Sequence, residues 1–187
     1  FRRVLFRSTE KLAQEVGIPL AELGELAGLD VVIDGADEFD PEFQLIKGGG
    51  GALLREKIVA QSAAAMVVVA DGSKEVKKLG AFPLPIEIIP FSWSETTRQI
   101  KTVLSEHGCG GEISLRRRPE LGDAVLDGID FPVAKGGGVF VTDNGNVILD
   151  CHTGATISDP VALERAPLHC ARVSHAIGCA SVRETVS

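Results

Sequence analysis

Three short apolar runs, at residues 29–33, 43–46 and 66–70, each end on charged residues and glycine. The first leads into Asp34-Gly35-Ala36-Asp37, the second into Lys47 and the glycines at 48–51, the third into Asp71-Gly72-Ser73-Lys74. Between the second and third lie residues 52–65, free of Gly and Pro and helical in composition. This alternation predicts an α/β fold with a parallel sheet of buried strands. In open sheets of that kind ligands bind at the carboxyl ends of the strands. If the three strands are neighbours, two carboxylates, two ammonium groups and a rank of backbone N–H groups share one crevice.

The glycines at 48–51 stand directly before the predicted helix. Glycine lets backbone approach a ligand, and free N–H groups at a helix start favour anions. The pattern is neither a nucleotide P-loop nor a dinucleotide fingerprint; a tight turn with close strand–helix packing is the plainer alternative. Glu56 follows in the first turns, between Arg55 and Lys57. Alone it would read as a surface carboxylate in an ion-pair-rich helix. Beside an electrophilic Lys47 and oriented N–H donors it reads as a base for proton abstraction next to a carbonyl, with the enediolate held by Lys47 and backbone dipoles. Asp34, Asp37, Glu38, Asp40 and Glu42 form an acidic patch without the spacing of a calcium loop, and no metal is expected there. Asp34-Gly35 also suits a plain turn.

Elsewhere the chain shifts in texture. A helix is expected after Ser8 or Thr9, with Leu12, Ala13 and Val16 on one face and Gly17 as its stop. Residues 75–79 read as a helical turn, 83–90 as a proline-bounded strand, and 94–105 as an amphipathic helix. Residues 108–135 are loop-rich, and Arg116-Arg117-Arg118 within them reads as a solvated loop rather than a phosphate site. Two β-prone runs, 139–142 and 147–150, flank Asn144-Gly145 and predict a hairpin. Ser158-Asp159-Pro160 starts a further helix, and no clean period follows Pro167. The expected organisation is a Rossmann-like parallel-sheet large domain over 1–82 carrying the site, a smaller α+β domain over 83–166, and an unassigned tail, 167–187.

Nineteen Lys and Arg against 26 Asp and Glu leave a net charge of −7, the wrong field for nucleic acid. No apolar run approaches the ~20 residues of a membrane helix. Cys109, Cys151, Cys170 and Cys179 are not in C-x-x-C spacing and, with His152 and His169, fit no usual zinc module. They read as reduced thiols, and a cytoplasmic protein is expected.

Six ordered motifs resemble ribose-5-phosphate isomerase of the A type: Asp34-Gly35-Ala36-Asp37-Glu38, Ile46-Lys47-Gly48-Gly49-Gly50, Arg55-Glu56-Lys57, Ala70-Asp71-Gly72-Ser73-Lys74, Phe82-Pro83-Leu84-Pro85-Ile86-Glu87 and Val141-Thr142-Asp143-Asn144-Gly145-Asn146. The resemblance covers residues 8–166. It implies cofactor-free interconversion of ribose 5-phosphate and ribulose 5-phosphate through an enediolate. Glu56 would carry the proton between C2 and C1, and Asp34 and Asp37 would serve hydroxyl protons and ring opening. Lys47 with the backbone at Gly48, Gly49 and Gly50 would stabilise the oxyanion, Gly35 and Ala36 would line the substrate, and Lys74 would meet its phosphate. A homodimer or homotetramer is expected. The rival readings are a non-catalytic phosphosugar sensor and an inactive fragment of the isomerase; Glu56 and Lys47 together favour the enzyme. The strand, phosphate loop and helix that open the family's pattern are not represented before Ser8. Residues 1–187 expressed alone are therefore expected to be poorly soluble or inactive.

Overall fold

The computed structural model describes residues 7–118, 138–170 and 173–176. The first described element is α1 (Arg7–Glu15), which buries Ala13 but leaves Leu12, and Val16 just after it, exposed. It closes where the Ile18 N–H returns to the Ala13 carbonyl at 2.8 Å and that of Gly17 to Gln14, the paired bonds of a Schellman stop. Next come β1 (Leu29–Asp34), β2 (Glu38–Phe39), β3 (Leu45–Ile46), α2 (Leu53–Gln61) and β4 (Ala63–Val68). Strands β1 and β4 pair in parallel, with Ile33 opposite Val67. The fold is α/β, as expected.

The three apolar runs do not become neighbouring strands of one sheet. Strand β3 does not join the parallel sheet; it pairs antiparallel with β2 in a two-stranded ribbon. The helix also ends earlier than its composition suggests. Ala63, Ala64 and Ala65 are good helix formers, yet they lie in β4 because β1 offers them a ladder, and tertiary pairing outweighs a propensity of a few tenths of a kcal/mol per residue. Residues 75–79 are not a helical turn. A short 3₁₀ helix, Gly72–Lys74, precedes them, and Glu75 then bridges to Phe39, whose carbonyl takes the Val76 N–H at 2.9 Å.

The parallel pair is not the buried sheet that its apolar sequence predicts. Val31 and Ile33 share one face with Val67 and Val69, and these are 44, 66, 40 and 63 % exposed. Two strands cannot cover both of their own faces; among the described residues no further strand pairs with β1 or β4, and an apolar face left open beside such edges is a site of association. The 187-residue chain should accordingly show concentration-dependent self-association by light scattering, which Ile33→Lys with Val69→Lys should reduce. A parent that stays monodisperse at all concentrations would refute this.

The second half is built on β5 (Leu84–Ile88), α3 (Trp93–Glu106), β6 (Glu112–Leu115), β7 (Arg117–Arg118), β8 (Gly138–Val139), β9 (Val147–His152), α4 (Pro160–Arg165) and β10 (Val173–Ala176). Strands β10, β5, β9 and β6, in that order, form an antiparallel sheet. Ile100 and Leu104 of α3 join Ile86, Ile88, Val147 and Leu149 in the main core. Asp159 caps α4 through the Ala162 N–H, with Pro160 in the first turn. The tail contributes β10 to the sheet edge, which its irregular sequence does not announce. The Asn144-Gly145 turn is present, but its arms diverge: β8 pairs with β7, and only Val141 bridges to Val147. Buried Glu87 on β5 accepts hydrogen bonds from Thr142 and Asn146, each at 2.9 Å, and so fixes that turn.

Candidate active site

Helix α2 carries Glu56 one turn after Leu53, so the two share a face. Leu53 is fully buried against Ile148 and Phe140, and the Glu56 carboxylate is thereby carried inward, its side chain 12 % exposed. Its neighbours turn the other way. Arg55 pairs with Asp143 of the turn at 3.3 Å, and Lys57 with Glu164 of α4 at 3.0 Å. The surface-carboxylate reading of Glu56 does not hold.

Lys47 follows β3 and is buried. Its Nζ donates to the Gly35 carbonyl at 2.6 Å, stands 2.9 Å from Asp34 Oδ2, and lies 3.4 Å from Glu56 Oε2. The last contact is too poorly aligned to be a hydrogen bond, which leaves Oε2 buried without one. Burial pushes the Glu56 carboxyl above the ordinary carboxylate range; Lys47 pulls it back, and Asp34 and Asp37 push it up further. A carboxylate raised in this way binds a proton more strongly than a free one.

The glycine turn lies alongside. Asp37 Oδ2 accepts the Gly49 N–H at 2.7 Å. A Cβ on Gly49 would run into Asp37 Oδ1 and approach Phe82 Cζ to 2.9 Å, and one on Gly51, whose φ is +88°, would stand 2.5 Å from Phe140 Cε1. Only glycine fits at these two positions. The Gly51 N–H closes the turn onto the Gly48 carbonyl at 3.0 Å. The N–H groups of Gly48 and Gly50 make no hydrogen bond among the described residues.

The structure thus gathers Asp34, Gly35, Asp37, Lys47, Gly48, Gly49, Gly50 and Glu56 into one neighbourhood, with half-buried Ala36 between the two aspartates. Lys74 is not joined to it by any hydrogen bond or ion pair among the described residues; its own turn is organised by Asp71, which accepts the Ser73 N–H. The acidic patch is largely structural. Glu38 accepts the N–H groups of Gly80 and Phe82, and Asp40 those of Glu42 and Gln44.

Sequence reasoning missed the arginines. Arg116 is not solvated. It is 9 % exposed, chelates Asp150 through Nε and Nη2, and donates from Nη1 to the carbonyls of Gly48 and Gly49 at 2.8 and 3.0 Å. Arg118 reaches the Gly50 carbonyl at 3.2 Å, its guanidinium 4.4 Å over the Phe140 ring. An Arg run reads as a charged loop because the glycine turn that buries it lies 68 residues away. Cys109 and Cys151 belong to the core, and among the described residues no three His, Cys, Asp or Glu side chains are grouped to hold a metal. Among the same residues no helix is long and apolar enough to cross a membrane.

A family model, ribose 5-phosphate isomerase A (phosphoriboisomerase A), matches residues 7–173. The chain belongs to the ribose 5-phosphate isomerase A family. It is 49 % identical over 158 residues to the ribose-5-phosphate isomerase A of Parvibaculum lavamentivorans, a match covering 84 % of this chain and 61 % of that protein. The family fold is also found in solved structures. That of ribose 5-phosphate isomerase A from Methanocaldococcus jannaschii superposes with a TM-score of 0.73 at 37 % identity, over 94 % of this chain and 68 % of that one. A D-ribose-5-phosphate isomerase solved in complex with phospho-erythronic acid gives 0.69 at 34 % identity, over 94 % of this chain and 66 % of that one. The chain thus spans about three fifths of the first of these family members.

Proposed function

We propose that this chain carries the proton-transfer centre of an aldose–ketose isomerase acting on ribose 5-phosphate and ribulose 5-phosphate. The observation that carries this reading is the desolvated Glu56 carboxylate 3.4 Å from the ammonium of Lys47. With open-chain ribose 5-phosphate bound, Glu56 removes the proton from C2. The C2–H electrons form the C1–C2 double bond, and the carbonyl pair moves onto O1. That oxygen is met by Lys47 and by the unused N–H groups of the glycine turn, which stabilise charge only as it develops. A proton then passes from O2 to O1; as the O2 pair forms the C2 carbonyl, the C1–C2 double-bond pair takes the proton from Glu56 at C1, and ribulose 5-phosphate results. In this reading Asp34, beside Lys47, and Asp37 serve hydroxyl protons and ring opening.

In this reading Gly35 and Ala36 line the substrate, and these two and Lys74, which would meet the phosphate, are assigned on the family resemblance alone. The site belongs to the first 82 residues in this reading, with 83–166 supporting it and a homodimer or homotetramer as the assembly.

The decisive measurement is exchange at C2. Although residues 1–187 alone read from the sequence as poorly soluble or inactive, the pairing of Glu56 with Lys47 predicts that ribose 5-phosphate incubated with the protein in D₂O exchanges its C2 proton and yields C1-labelled ribulose 5-phosphate, both followed by proton NMR. Binding of ribose 5-phosphate with no exchange would favour the sensor, and neither binding nor exchange the inactive fragment.

A further inference from the structure

The glycine turn is gripped from behind by two arginines. Three successive carbonyls, those of Gly48, Gly49 and Gly50, all accept from guanidinium groups on the β6–β7 segment. Arg116 is itself immobilised. Asp150 of β9 takes both its Nε and Nη2, its N–H donates to the Ile148 carbonyl at 2.8 Å, and its carbonyl accepts the Phe140 N–H at 2.9 Å. A guanidinium is a rigid planar fork, so one group can hold a carboxylate on one edge and two carbonyls on the other.

The consequence follows from the planarity of the peptide. In a trans peptide the N–H points opposite to the C=O. The Gly48 carbonyl held by Arg116 shares its peptide with the Gly49 N–H that grips Asp37. The Gly49 carbonyl held by the same Nη1 shares its peptide with the unused Gly50 N–H. Positive charge on each oxygen also polarises its peptide and strengthens the opposite N–H as a donor.

We propose that Arg116, fixed by Asp150, is a positioning residue for the isomerase reaction. It sets the peptides of the glycine turn so that one N–H holds Asp37 and the next is aimed away from Arg116 as an oxyanion donor. Arg118, stacked on Phe140, holds the third carbonyl. This rests on the isomerase reading for its catalytic consequence, but the clamp is a property of the turn and is measurable without turnover.

Arg116→Met strips the clamp but leaves half-buried Asp150 without its partner, which is costly. Arg116→Met with Asp150→Asn removes both charges and serves as the second variant. Arg116→Lys keeps the charge without the fork. In all three, amide exchange at Gly49 should quicken about tenfold, the loss of one ordinary hydrogen bond, while amides of the α3 core remain protected. With ribose 5-phosphate, kcat should fall about 10²-fold, as expected for a misplaced catalytic group, and KM should stay within about threefold because the ground state does not use the donor. Phospho-erythronic acid, whose planar carboxylate resembles the enediolate, should bind more weakly in proportion to kcat. Unchanged Gly49 exchange in the double variant overturns the clamp. Quickened exchange with kcat and analogue affinity intact overturns the positioning role, as does full rescue by Lys. A parent that does not exchange C2–H removes the isomerase reading, and Gly49 exchange then still decides the clamp.

Discussion

Glu56→Gln should lower turnover by ~10²–10⁴, the usual contribution of a positioned general base, while phospho-erythronic acid still binds. Gln keeps the shape and removes the basic oxygen. Near-parent turnover in this variant would move the base elsewhere in the site. In the parent, turnover should rise with pH as Glu56 ionises. Because burial raises that carboxyl, the rise should centre above the ordinary carboxylate value of 4.5.

The same proton is linked to stability. The folded chain holds it more tightly than the unfolded chain does. The contribution is fully present below 4.5 and is lost as pH rises through the higher folded value. Gln stays neutral at every pH. The variant should therefore gain on the parent in urea midpoint as pH rises above 4.5. A gap that does not open with pH would mean that the folded site does not disfavour the ionised carboxyl.

Lys47→Met should be the most damaging single change in the site for folding. It leaves the carboxylates of Asp34 and Glu56 close together without their common cation, and frees the Gly35 carbonyl. Breaking a buried pair from one side costs about 3–5 kcal/mol. Asp34 keeps some solvent, its side chain 24 % exposed, so the lower end of that range is expected from urea unfolding at neutral pH. Turnover should fall at least ~10²-fold, the scale for removing one group that stabilises the oxyanion. At low pH, where Glu56 is protonated, the stability loss should shrink. A loss under about 1 kcal/mol at neutral pH would show that Lys47 acts as no more than a surface charge.

Glu56 and Lys47 are both legible in the amino-acid sequence. A Lys ending an apolar run, glycines after it and a Glu in the following helix are close along the chain, and chemistry at that spacing survives most packings. The helix 93–106, the cap at Asp159 and the turn at Asn144-Gly145 are legible for the same reason. Each depends on hydrogen bonds and periodicity within a few residues. The ordered motifs also suffice for the family, since they match its members in type and sequence order.

Other features depend on what covers what. Ala63, Ala64 and Ala65 are strand because β1 lies beside them. Apolar β1 and β4 remain half open because pairing two strands leaves a face bare. Glu38 reads as one member of an acidic patch in the sequence and is a cap for two N–H groups some forty residues on. Arg116 looks like a solvated charge and is the buried prop of the glycine turn. Local order is set by neighbours in the chain, whereas burial and the fate of a charge are set by segments that meet only once the chain has folded.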